Sequence, residues 1–355
     1  MKKITHRASA SKSSSKKSFT PSVTPLTADI ESLYTIVAEP WIKISDDTKY
    51  FLEGPCFGPD GTFYCTNPKA GHAYIISPKG KVKQIWDDFK LRPIVFAFHK
   101  KGRLFYTAET ATGIGTLCHS APDLTDIVEV KPRYEGKPTF FNDCDFNPDG
   151  VLYVTDSTGQ RNNPTGGVYA FSPDMQTITP IVKNVVGANG ITLGPAGTAF
   201  MANTREDIKT KSGYFIKAGT PVESLWIGEA GTSTIINVQF VYSPDGPVFS
   251  HIAGYNEPYH VSGMYPTDGM KCDVNGNVYI CVIMQGYILI LNKNGVPIAK
   301  VVIPGRDKGV GFMNSNMTFK PGTDEGYCVA AGGTGPAVIY RFQALAKGRK
   351  FYWEP

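Results

Sequence analysis

No stretch of the 355 residues approaches the run of about 18 apolar side chains that would span a bilayer. The N-terminus also lacks the apolar core of a secretory signal. Among seven cysteines there is no Cys-x-x-Cys pair, and His6, His72, His99, His119, His251 and His260 share no ligand spacing. Thiolate and histidine metal centres are therefore not expected. Charge is scarce on the body of the chain. The formal net charge is +5, but residues 1–24 hold Lys2, Lys3, Arg7, Lys12, Lys16 and Lys17 and no acid. Removing that tail leaves 30 basic against 31 acidic residues, a body of charge −1. A phosphate-tracking surface needs clustered cations on the fold itself, so no nucleic-acid partner is expected, and no membrane. A small molecule is the expected partner; the sequence carries no signal of oligomeric state.

The Ser/Lys-rich tail cannot bury enough surface to fold. Residues 1–28 are expected to be disordered and 29–355 to form one domain. Cys65, Cys144, Cys281 and Cys328 lie in apolar runs such as Val278-Tyr-Ile-Cys-Val282, as buried reduced thiols of a cytoplasmic protein do. Mitochondrial import through the basic, acid-free tail is the alternative location.

What is present is a repeat. Glu53-Gly-Pro-Cys-Phe-Gly-Pro-Asp-Gly61-Thr-Phe-Tyr-Cys-Thr66 recurs from Asn142 to Thr155, from Asn189 to Ala202 and from Asp268 to Cys281. A weaker copy surrounds Gly102 and a degenerate one Gly322. Each copy reads as strand, tight turn, strand, with a glycine supplying the positive φ of the turn. The turn glycines fall at 61, 102, 150, 197, 276 and 322, and the long interval after Gly197 predicts an insertion between about 205 and 265. There, Ser243-Pro-Asp-Gly246 reads as an outer hairpin. Further strand pairs fill the intervals, giving about four strands per repeat of roughly 45 residues, the period of a propeller blade. An all-β fold, a six-bladed β-propeller, is predicted. Tyr34–Val37 is expected to close the ring beside Ala337–Phe342.

Eight positions before each turn glycine stand Glu53, Ile94, Asn142, Asn189, Asp268 and Ser315. In a propeller these positions open the innermost strands and converge on the axis. Four of them, Glu53, Asn142, Asn189 and Asp268, offer carboxylate or amide oxygens. Converging carboxylates repel unless a cation joins them, and an all-oxygen set suits Ca²⁺, with Mg²⁺ or Mn²⁺ as alternatives. Local turn chemistry also uses Asn and Asp, but four oxygen donors at one register exceed what turns require.

At these residues the sequence resembles the gluconolactonase/senescence-marker-protein superfamily. Its succession of Glu-Gly-Pro, Asn-Asp, Asn-Gly and Asp-Gly is matched at Glu53, Asn142, Asn189 and Asp268. Within that superfamily it is most similar to the drug-responsive bacterial lactonase branch, through residues 163–169, 177–190, 303–307 and 344–348. The resemblance spans about residues 40–350. It implies a calcium-dependent hydrolase that opens lactone rings, with Glu53, Asn142, Asn189 and Asp268 as metal ligands. It also implies Asp268 as base or nucleophile and Asp143 as a catalytic neighbour of the substrate. Phe140, followed by Phe141, stands where sugar-lactone enzymes are expected to carry an Arg two residues before Asn-Asp. This implies substrate contacts at Phe140, Phe141 and Asn316, and a substrate more apolar than a sugar lactone. The lactonase branch carries Asp at position 142 and His at 316, where this chain has Asn. An isomerase, cyclase or phosphotriesterase-like hydrolase on the same platform therefore stays open, as does a non-catalytic scaffold with structural calcium.

Overall fold

The computed structural model describes residues 26–130, 133–134, 137–200, 202–249, 254–263 and 266–355. The basic tail up to residue 25 lies outside these residues, as do His6 and His251. Strands dominate the described residues, and the helical elements there are a single turn, Ala28–Glu31, and a 3-10 turn, Arg306–Lys308. Six antiparallel sheets follow the sequence period. Their innermost strands are Glu53–Phe57, Leu91–Phe98, Phe141–Phe146, Ala188–Leu193, Thr267–Cys272 and Val310–Phe319. Each of these packs against the next, and the last packs against the first. The fold is the six-bladed propeller, with blades numbered 1–6 in that order.

A blade is apolar on both faces because each face meets a neighbour. Val278–Val282, the second strand of blade 5, is buried at every position, as expected of a strand covered on both sides. The core is accordingly divided into six main clusters, one at each junction between adjacent blades. All seven cysteines are buried within the sheets and unbonded.

Polar stitches also join the blades. Thr66 Oγ1, on the second strand of blade 1, donates to the Ile94 carbonyl of blade 2 at 2.8 Å. Thr107 does the same for Asn142, and Thr155 for Asn189. These threonines end the repeated hairpin motif, and each reaches the carbonyl of the next blade's channel residue.

Two features differ from expectation. Ring closure is made by Glu39–Ser45, which pairs antiparallel with Ala337–Gln343. Tyr34–Val37 instead runs parallel to Pro297–Val302 as a fifth strand of blade 5. Packing decides between the two segments: Trp41, Ile42 and Ile44 fit the junction of blades 6 and 1, whereas Tyr34 and Val37 are 67% and 62% exposed. The buried Lys300 fixes the earlier segment by donating to the carbonyls of Ile30, Glu31 and Leu33. Leu26 and Ile30 pack on the cluster between blades 4 and 5.

The second difference lies in blade 4. Residues 198–200 and 202 do not supply the second strand expected from the repeat. Glu223–Glu229 pairs with Ala188–Leu193 in its place, and a small hairpin, Ile208–Lys209 with Phe215–Ile216, fills the insertion. The outer hairpin around Ser243–Gly246 forms as expected between Thr234–Val241 and Val248–Phe249.

Candidate metal centre

Every innermost strand carries a pairing irregularity near its register position. The ladder shifts between Glu53 and Cys56, Pro93 and Phe96, Phe141 and Cys144, Ala188 and Ile191, Thr267 and Met270, and Asn314 and Asn316. Such a bulge bends the strand and re-aims a side chain. The blades also approach closely here. A Cβ on Gly190 would stand 2.1 Å from the Asp268 carbonyl oxygen, and one on Gly54 would stand 2.2 Å from that of Ile94. Glycine after the register residue is what lets neighbouring strands converge.

Glu53 and Asp268 are 3% and 5% exposed. Glu53 Oε2 accepts from the Gly54 N–H at 2.7 Å and from Ser315 Oγ at 3.3 Å. Burial pushes its carboxyl well above the usual range, and the charges of Asp268 and then Asp143 push it further. Burial likewise raises Asp268 to about 8, with Asp143 adding to the shift. The Asn189 side chain and the Gly269 N–H donate to that carboxylate and oppose the rise. The Oδ1 atoms of Asn142 and Asn189 are buried and accept no hydrogen bond. A buried amide oxygen without a donor is costly. Asn189, whose side chain bonds to Asp268, places one such oxygen beside the mutually repelling carboxylates, a donor set that fits a hard cation. Among the described residues, no three His, Cys, Asp or Glu side chains could chelate an ion by themselves. A cation in the channel would thus draw on the amide oxygens.

Asp143, expected beside the substrate, is turned into the wall and is 1% exposed. Its Oδ1 accepts from the Cys144 N–H at 2.7 Å and its Oδ2 from the Ile191 N–H at 3.4 Å. The Lys271 ammonium stands 3.8 Å from Oδ1. Burial raises the Asp143 carboxyl, and Lys271 opposes that. Below this layer, Arg349 Nη2 grips both oxygens of Asp145 at 2.6 Å. A cavity of about 30 Å³ remains there, lined by Cys56, Asp145, Lys271, Tyr352 and Trp353 among others.

The opposite mouth is open. A cavity of about 350 Å³ has Asn142 in its wall, together with Phe51, Phe89, Ile94 and Phe140. Its cations are engaged: Arg92 pairs with Glu109 and lies over Phe89, and Lys69 lies over Phe51. Phe140 lines this mouth, and Phe141 is not among its lining residues. Phe141 is fully buried between Tyr169 and Phe171, because the next residue along a strand faces the other way. Asn316 is 1% exposed and fills the space over Gly269, with its Oδ1 accepting from the Met317 N–H. It contributes to the channel wall, not to the mouth. The structure thus brings Glu53, Asn189, Asp268 and Asp143 together and sets Asn142 at the mouth. Sequence reasoning missed Lys271, whose only signal is its place three residues after Asp268 on an innermost strand.

A six-bladed propeller whose innermost strands bring Glu53, Asp143, Asn189 and Asp268 into mutual reach defines the class of protein. The chain belongs to the SMP-30/gluconolactonase/LRE-like family, whose model matches residues 51–310. A lactonase drp35 of Staphylococcus saprophyticus is 30% identical over 339 residues, covering 93% of this chain and 94% of its own length. Among solved structures, a luciferin-regenerating enzyme superposes with a TM-score of 0.65 at 16% identity, covering 89% of this chain and 98% of its own. A calcium-binding protein, regucalcin from Agrobacterium tumefaciens, superposes with a TM-score of 0.62 at 13% identity, covering 90% and 99%. These two likenesses concern the fold.

Proposed function

We propose that the protein is a calcium-dependent hydrolase that opens lactones or related esters more apolar than sugar lactones. The observation that carries this reading is the unpartnered buried Oδ1 of Asn189 beside the mutually repelling Glu53 and Asp268, with a second such oxygen on Asn142 at the equivalent position of the preceding blade. Similarity to the drp35 lactonases along almost the whole chain supports the reaction class. Glu53, Asn142, Asn189 and Asp268 would hold the cation. Bound there, a divalent ion supplies Lewis-acid polarisation of a carbonyl and lowers the pKa of a coordinated water.

The chain's own residues do the rest. Asp268, ionised when a cation is bound beside it, would accept the proton that the attacking water loses as it adds to the carbonyl carbon. As the ring C–O bond breaks, that proton would pass from Asp268 to the leaving alkoxide oxygen. Glu53 is held fixed by Gly54 and Ser315. Phe51, Phe89 and Phe140 wall the approach, favouring an apolar acyl or aryl portion and excluding water from it. Asp143, sealed beneath, acts by position and charge.

The test is turnover of lactone, aryl-ester and organophosphate substrates before and after EDTA, with Ca²⁺ added back. Lactone hydrolysis lost to EDTA and restored by Ca²⁺ is expected. Full activity in EDTA would overturn the metal reading. A higher melting temperature with Ca²⁺ but no turnover of any substrate would point to a binding scaffold.

A further inference from the structure

Beneath the register positions lies a cation whose role the proposed reaction leaves open. Lys271 follows Asp268 by three residues on the innermost strand of blade 5. Its Nζ is buried and makes no hydrogen bond; its partner is Asp143, at 3.8 Å. A buried ammonium without hydrogen bonds is expensive to fold, so its retention at the channel axis needs a reason. The surrounding charges supply one.

Three carboxylates share this level: Asp268 and Asp143 both act on Glu53, and Asp143 acts on Asp268. Asp145, one layer lower, is already neutralised by both its contacts to Arg349. Around the channel this leaves Glu53, Asp143, Asp268 and Lys271, two net negative charges when all are ionised. Without Lys271 there would be three.

We propose that Lys271 sets the valence of the centre: by offsetting Asp143 it matches the site to a divalent cation and disfavours a trivalent one. The inference rests on the metal reading above and goes beyond it, since affinity in oxygen-ligand sites follows the charge count around the ion. Lys271 is on this account a positioning residue that acts through Asp143 and does not touch substrate.

The test titrates the metal-free protein with Ca²⁺ by calorimetry and with Tb³⁺ by luminescence. Lys271→Met should raise the ratio of Tb³⁺ to Ca²⁺ affinity at least tenfold, and Lys271→Arg should keep the wild-type ratio. Asp143→Asn should lower the ratio and weaken Ca²⁺ binding about tenfold or more. Lys271→Met combined with Asp143→Asn should return the ratio to within a few-fold of wild type. The Asp143→Asn and double variants keep the test alive if Lys271→Met alone does not fold. A ratio that stays within twofold across the variants overturns the valence role while leaving the metal reading intact. A wild-type protein that binds neither ion overturns both.

Discussion

The Thr155 hydroxyl, on the second strand of blade 3, donates at 2.7 Å to the main-chain carbonyl of Asn189 on the first strand of blade 4. The same oxygen accepts from the Asp143 N–H at 2.9 Å. One side chain thereby ties two channel residues of adjacent blades together. Thr155→Val keeps the shape but leaves a buried carbonyl and a buried N–H unpaired. A loss of about 2 kcal/mol is expected in urea unfolding, with weaker Ca²⁺ binding by calorimetry. An unchanged unfolding midpoint would show the stitch to be dispensable.

On the proposed metal reading, protons and Ca²⁺ would compete for Glu53 and Asp268. The raised carboxyls of Asp268 and Glu53 hold protons in the folded, metal-free state that the unfolded chain releases above about pH 4. The folded state then binds more protons than the unfolded one, so metal-free stability should fall as pH rises from about 4 toward about 8. Ca²⁺ should expel protons on binding, and its apparent affinity should climb over the same window and flatten above it. Calorimetry in buffers of different ionisation enthalpy reads both effects. Affinity independent of pH between 6 and 8 would contradict the shared, proton-loaded site.

Asp268→Asn removes one candidate ligand and the proton acceptor together. Lactone turnover should fall by a factor of about 10² or more, while the melting temperature without metal should stay level or rise, because the like-charge repulsion on Glu53 is relieved. Turnover within tenfold of wild type would remove Asp268 from the chemistry.

Phe140 lines the open mouth beside Asn142. Phe140→Arg should move the ratio of kcat/KM for an aryl lactone over a sugar lactone downward by about tenfold or more. Phe141→Leu should leave that ratio unchanged and instead lower stability, since Phe141 packs against Tyr169 and Phe171. A shift in specificity from Phe141→Leu alone would reverse the assignment of the two aromatics.

Arg349 and Asp145 are each about 11% exposed and pair at 2.6 Å beneath the channel. Arg349→Met strands a buried carboxylate, for which a cost of about 3 kcal/mol is expected in denaturant unfolding. Arg349→Met with Asp145→Asn should recover part of it. If the double variant is no more stable than the single, the pair is not coupled.

The period of the hairpin motif and its turn glycines, features of local chain chemistry, were enough to predict six blades and the register residues Glu53, Asn142, Asn189 and Asp268. A tight turn and its flanking strands are decided within a dozen residues. Equivalent positions of a repeated unit must also face the same axis once the units close into a ring. The choice of the closing strand had no such local signature. Tyr34–Val37 and Glu39–Ser45 are both strand-like. The fit of Trp41 between blades 6 and 1, and the grip of Lys300 on the preceding turn, settled it. The pairing of Glu223–Glu229 with the innermost strand of blade 4 likewise depends on which segment meets Ala188–Leu193 across an insertion.

Charge placement divides in the same way. The sequence determined that four oxygen-bearing side chains recur at one register. Only the tertiary structure decided that Asp143 turns inward, that Asn142 and Asn189 keep unpartnered oxygens, and that Lys271 stands under them. Those outcomes depend on burial and on distances between residues far apart in the chain, where electrostatic terms become large. No pattern along a single strand records them.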